Sequence, residues 1–222
     1  MQRHFDQELD ELKKYLFEMG TLTQAAIFKS IEALKKLNAA AAKAVITDDK
    51  IIDQMENIID EKCLDLLVLR QPVASDLRFI AMSMKISTDL ERIADLAVDV
   101  AQRVLELAGK PLLKPLIDIP KLTKLAKQMT DDALNAFINK DADLAGKVIL
   151  LDSEADMLRN LIQMELIDEY IAKDCSSARR VVPLLLIARH LERICDHATN
   201  IAEDVIYMIK TDVVKHHPEK IN

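Results

Sequence analysis

The chain has 222 residues, of which 50% are hydrophobic, 30% charged and 4% aromatic, with 3 Gly, 6 Pro and no Trp. This length allows one or two domains, and three glycines are too few for the turns of a many-stranded sheet protein or for a Gly-rich dinucleotide or phosphate loop. The net charge of −7 disfavours a nucleic-acid partner, and no apolar run approaches the ~18 residues of a membrane-spanning helix. The opening Met1-Gln2-Arg3-His4-Phe5-Asp6 has no apolar signal-peptide core, and Cys63, Cys175 and Cys195 form no CxxC pair. We expect a cytoplasmic, nearly all-helical protein with reduced thiols.

In chain order, the apolar residues Leu9, Leu12, Leu16, Met19, Leu22, Ala26, Ile27, Ile31 and Leu34 recur at helical spacing and predict a first helix over 4–37. Asn38 marks a turn before a second helix, about 40–69. The run Gln71-Pro72-Val73-Ala74-Ser75-Asp76 stops it and offers caps for a third, which reaches Ala108. Gly109 and the prolines at 111, 115 and 120 then read as a linker. A fourth helix is expected over 121–139. After a turn at Lys140-Asp141 a fifth runs to near Lys173, and Ser176 and Ser177 are cap candidates for a sixth, ending about Lys210. This gives a first bundle over 1–110, a linker over 111–120, a second bundle over 121–214 and a tail over 215–222.

The two halves match residue by residue. Asp89-Leu90-Glu91-Arg92-Ile93-Ala94-Asp95 aligns with His190-Leu191-Glu192-Arg193-Ile194-Cys195-Asp196 at an offset of 101 (91 to 192). Upstream, Asp49 and Asp53 align with Asp152 and Asp156 at an offset of 103 (49 to 152). The slip of two falls naturally in the loop between the helices. The fold class is therefore all-α, with two tandem, duplicated three-helix bundles.

The third helix of each unit carries the informative residues. Glu91, Asp95 and Asp99 step by four, advance about 40° per step and share one face. Their counterparts are Glu192, Asp196 and Asn200, followed by Glu203. Like charges at i, i+4 cost an isolated helix about 0.2–0.5 kcal/mol per pair, and their repetition in both halves calls for a compensating cation. Hard metal ions are held by several carboxylate oxygens, and a bundle assembles such a site from acids on facing helices. Asp49 and Asp53, and Asp152 and Asp156, are the candidate neighbours on the second helix of each unit, and acids at helix starts also suit the macrodipole. The competing reading is a set of solvated acids tempered by Arg92 and Arg193. His190 and His197 match Asp89 and Leu96, so they read as structural or surface histidines, and Cys195 as a small core residue. Arg78 and Arg179 correspond at 101 and read as capping or acid-pairing residues.

With these paired motifs, together with the helix-opening Gln71-Pro72-Val73-Ala74-Ser75-Asp76-Leu77-Arg78, the sequence resembles the PhoU family over about residues 5–214. The resemblance implies a cytoplasmic protein, peripheral to the inner membrane through its partners, that represses the phosphate-starvation regulon when phosphate is plentiful. The implied partners are the ATPase subunit of the phosphate ABC transporter, a phosphate sensor histidine kinase and a second copy in a homodimer. It also implies divalent or trivalent metal ions (iron, zinc, manganese or magnesium) on Glu91, Asp95, Glu192 and Asp196, with Asp99 added. Asn200 departs from an all-acid pattern and leaves Glu203 or a water to complete the second set. No catalytic residue is expected. A ferritin-like carboxylate metal enzyme is the alternative, but it wants Glu-x-x-His, and no histidine here has Glu three positions before it. A metal-free helical adaptor is the third reading.

Overall fold

The structure, a computed structural model, describes residues 2–210; the expected tail over 215–222 lies outside the described residues. The helices are α1 (Gln2–Lys36), α2 (Ala39–Asp48), α3 (Lys50–Arg70), α4 (Ala74–Leu107), α5 (Asp118–Asn139), α6 (Ala142–Leu166) and α7 (Ala178–Lys210). A single π-helical turn, Ile167–Ile171, extends α6, and a short 3-10 turn, Cys175–Ser177, leads into α7. Each unit is a three-helix bundle, since α2 and α3 together form one limb. Among the described residues no helix is long and apolar enough to cross a membrane.

Both units end their first helix by the same device. Leu37 and Lys140 take left-handed backbone conformations (φ 47° and 53°). The next residue, Asn38 or Asp141, then accepts hydrogen bonds from two backbone amides of the following helix at 2.9–3.1 Å. These caps satisfy donors that would otherwise be orphaned. They sit 103 positions apart, so the internal repeat extends from sequence to turn chemistry.

Three boundaries differ from the periodicity. The second helix is interrupted at Asp49, where Thr47-Asp48-Asp49 supplies residues whose side chains compete for the backbone. The supposed linker already turns helical at Asp118, because Pro120 falls in the first turn, where no intrahelical N–H is needed. Within the same connection Lys114 is buried and pairs with Glu165 of α6, which ties the segment to the second unit. Ahead of the last helix, the Asp174 carboxylate accepts from the Ser176 amide and caps the short 3-10 turn that leads into α7.

At the centre α4 packs against α7. Lys85 meets Asp204, Asp89 meets His197 and Asp99 meets His190, so partner numbers fall as α4 numbers rise and the helices run antiparallel. Ile93 and Ile194, equivalent in the repeat, are both fully buried near the middle of this crossing. On the flanks α1 packs on α4, α5 packs on α7, and α1 touches α5. Gly20 permits that last approach, since a Cβ there would stand 2.2 Å from a Leu134 methyl. Phe79 of α4 stacks on Phe137 of α5, with centroids 4.8 Å apart, and the buried residues of both units form one continuous cluster. Each fully buried Leu, Ile or Phe side chain contributes about 1.5–3 kcal/mol. Lys85 also clamps the halves by reaching both oxygens of the buried Asp204 at 2.6 Å. The limbs α2–α3 and α6 cover the outer faces of α4 and α7, and the repeated acids lie along these two seams.

Candidate functional site

On the first seam, the face of α4 opposite the Leu90, Ile93 and Ala97 stripe turns toward α2 and α3. Glu91 is mostly buried, its side chain 17% exposed. Its buried Oε2 accepts no hydrogen bond, although Arg92 Nε stands 3.4 Å away. Burial, then the neighbouring Asp95, push the Glu91 carboxyl up to about 7; Arg92 opposes the rise, while Glu56 and Asp53 add to it. Asp49 is pushed up to about 6 by burial and by the charges of Asp53 and Asp95. Asp49, Asp53, Glu56, Glu91 and Asp95 therefore form one field of mutually repelling carboxylates drawn from α3, α4 and the break between α2 and α3. Asp95 is half exposed and accepts from Arg92 at 3.1 Å. Asp99, one turn further, stands across from His190 of α7 at 3.6 Å.

The second seam repeats the arrangement with a different balance. Asp196 is pushed up to about 6 by partial burial of its carboxyl and by Glu192, Asp152 and Asp156, with His197 opposing, although the residue as a whole stays exposed. Asp152 is raised by burial and by Asp156, against the hydrogen bond it receives from Thr199 at 3.2 Å. Glu192 is 16% exposed and lies 3.4 Å from Arg159 of α6. Asp152, Asp156, Asp196, Asn200 and Glu203 line one shallow cavity of about 650 Å³ between α6 and α7. Asp156 and Asn200 are exposed there, and Glu203 is half-buried.

The donor set suits a hard cation: oxygen ligands only, packed closely enough to raise one another's proton affinity, with one buried carboxylate oxygen unsatisfied. Among the described residues, no three carboxylate, imidazole or thiol groups already stand around one point at coordinating range. The acids are gathered on each seam but not closed on a common centre.

Several polar partners escaped the sequence reading. Glu56 and Arg159 join the two acidic fields, and the offset of 103 that related Asp53 to Asp156 would have placed them opposite one another. His197 and Asp89 pair at 2.9 Å between the two units, a contact that internal repetition could not reveal because neither residue has a like counterpart. Arg78 donates to the Met208 carbonyl at 3.2 Å and so pins the start of α4 to the end of α7. Cys195 is buried, and its thiol is pushed well above the ordinary range by burial and by the surrounding carboxylates.

The comparisons with known proteins agree along the chain. The family model described as the PhoU domain matches twice, at residues 16–104 and 119–205. A relative from Aquifex aeolicus, described as a phosphate-specific transport system accessory protein PhoU homolog, is 41% identical over 94% of each chain. One from Pseudomonas putida with the same description is 37% identical, over 96% of this chain and 84% of its own. Among solved structures, the PhoU crystal structure from Pseudomonas aeruginosa superposes with a TM-score of 0.88 at 36% identity, covering 94% of this chain and all (100%) of that one. The phosphate transport system regulatory protein PhoU from Streptococcus pneumoniae gives 0.87 at 31%, over 95% and 99%.

Proposed function

Because the chain belongs to the PhoU family, we propose that it is an accessory regulator of phosphate transport that holds phosphate-starvation signalling down when phosphate is abundant. The observation that carries this reading is the double match of the family domain across both units, on a fold in which each unit presents an E/DxxxD face. The proposed partners are the ATPase subunit of the phosphate transporter and a sensor histidine kinase. The place of action is the cytoplasm at the inner-membrane surface, reached through those partners. We assign no bond-making chemistry to the protein. Two equivalent units with broad helical faces suit a binding and relaying role, with a second copy of the chain as a further partner.

We assign the metal role on the first seam to Glu91 and Asp95, with Asp49 and Asp53 opposite and Asp99 beyond. The equivalent donors on the second seam are Glu192, Asp196, Asp152 and Asp156, bordered by Asn200 and Glu203. A bound cation supplies charge neutralisation between facing helices, and the carboxylates supply hard oxygen ligands. The unsatisfied Glu91 oxygen and the raised carboxyls of Asp49 and Asp196 support this assignment. The regulatory reading predicts that deleting the gene leaves alkaline phosphatase and phosphate uptake high in phosphate-rich medium; intact repression in the deletion strain overturns it. For the metal reading, elemental analysis of untagged protein should find an ion that Glu91→Ala with Asp95→Ala removes.

A further inference from the structure

The two carboxylate seams match in position and differ in what closes them. At the offset of 103, Glu56 of α3 corresponds to Arg159 of α6; at 101, Thr88 of α4 corresponds to Arg189 of α7. In the first unit the Thr88 hydroxyl donates to Glu56 Oε1 at 2.9 Å, so a further carboxylate is held against α4. Among the described residues, the arginine on that seam, Arg92, pairs only with Glu91 and Asp95 of its own helix, and it is 57% exposed. Among the described residues, no ion pair links α2 or α3 to α4.

The second unit has the cross-helix cation that the first lacks. Arg159 Nη2 reaches from α6 to Glu192 Oε1 on α7 at 3.4 Å and lies 3.9 Å from Asp156. Its Nη1 donates to Asn160 at 2.7 Å and to Gln163 at 3.4 Å, so both terminal nitrogens of the guanidinium have partners. At 30% exposure it is partly withdrawn from solvent. A planar, permanently charged fork held in this way joins two acidic helices as a metal ion would.

We propose that Arg159 is a built-in counter-ion to Glu192, standing where a bound cation would otherwise bridge α6 and α7, so that the first seam takes metal in preference to the second. The inference rests on the metal reading given above and refines it to one of two nearly identical ligand sets. In the first unit both helices offer acids to the seam, and only an external cation can bridge them. In the second, the chain itself supplies a bridge, from Arg159 of α6 to Glu192 of α7.

Manganese(II) is the probe, titrated into the full-length, untagged, chelator-stripped protein, with free ion read by electron paramagnetic resonance. Glu91→Ala with Asp95→Ala should abolish binding by the wild-type chain, and Glu192→Ala with Asp196→Ala should leave it unchanged. Arg159→Glu, which copies Glu56 into the second unit, should add at least one equivalent of bound manganese. That gain should vanish when Glu192→Ala and Asp196→Ala are added. Arg159→Gln is the milder variant, and manganese should raise its Tm more than that of the wild type. Loss of wild-type binding through Glu192 and Asp196 overturns the inference. So does unchanged stoichiometry in both Arg159 variants while the wild type binds through Glu91 and Asp95, and in that case the metal reading survives. If neither wild type nor variant binds manganese, the metal reading falls and takes the inference with it.

Discussion

The α3–α4 and α6–α7 seams are built on the same plan and solve one electrostatic problem in two ways. Each places a Glu and an Asp at i, i+4 on the long central helix opposite an Asp pair of the covering helix. Across the first seam acid faces acid, with Glu56 adding to the field that raises Glu91. Across the second, Arg159 faces Glu192. The scaffold tolerates both because its stability comes from the apolar side of α4 and α7, where Ile93 and Ile194 are equally buried. Seam electrostatics, at about 0–1 kcal/mol for a partly exposed pair, ride on a core worth far more.

The largest effect should fall on what the seams share. Ile93→Ala and Ile194→Ala should each lower stability in urea by about 2–5 kcal/mol, and by similar amounts. A wide inequality would mean that the two sides of the crossing are not packed alike.

Mutations on the seams should then act with opposite signs. In chelator-treated protein at pH 7.5, Glu91→Gln should stabilise by a few tenths to about 1 kcal/mol, because it removes a charge from a crowded, half-desolvated field. Glu192→Gln should destabilise by up to about 1 kcal/mol, because it leaves Arg159 without its cross-helix partner. Equal signs in chemical denaturation would erase the contrast between the seams.

The pH profile sharpens the same point. The folded state binds the Glu91 proton more tightly than the unfolded chain does, so ionising this group opposes folding. In metal-free protein the increment from Glu91 should be fully present below the ordinary value of 4.5 and be lost as pH rises toward about 7. Asp196 contributes a second loss between 3.8 and about 6. Thermal melts of Glu91→Gln should lack the upper step and keep the lower one. Smallest of all, Arg92→Gln should change stability by less than about 0.5 kcal/mol, since this exposed arginine pairs only within its own helix.

The helices were legible because their signals are local. Period-3.6 stripes, the turns at Asn38 and Lys140-Asp141, and Gly109 as a stop all act within a few residues. The repeat was legible for the same reason, as a match between two local patterns. Its offset located the facing acids Asp49, Asp53, Asp152 and Asp156 on helices that do pack on the motif helices. What escaped was set by tertiary contact. The residues Thr47-Asp48-Asp49 permit a break at Asp49, but its place also goes with α2 and α3 each packing against α4, and the anchoring of Lys114 on Glu165 depends on a turn folding back over α6. Arg159 escaped for a different reason. A search for likeness between the halves passes over the position where they carry opposite charges, and that position distinguishes the two seams.

The antiparallel crossing of α4 and α7 gives the chain the symmetry of a dimer inside one polypeptide. In a true twofold assembly every substitution appears twice, and a change that helps one face is imposed on its mate. Covalent joining lifts that constraint. One unit can carry an arginine where the other carries a glutamate, and a shared hydrophobic centre keeps the unlike halves in register.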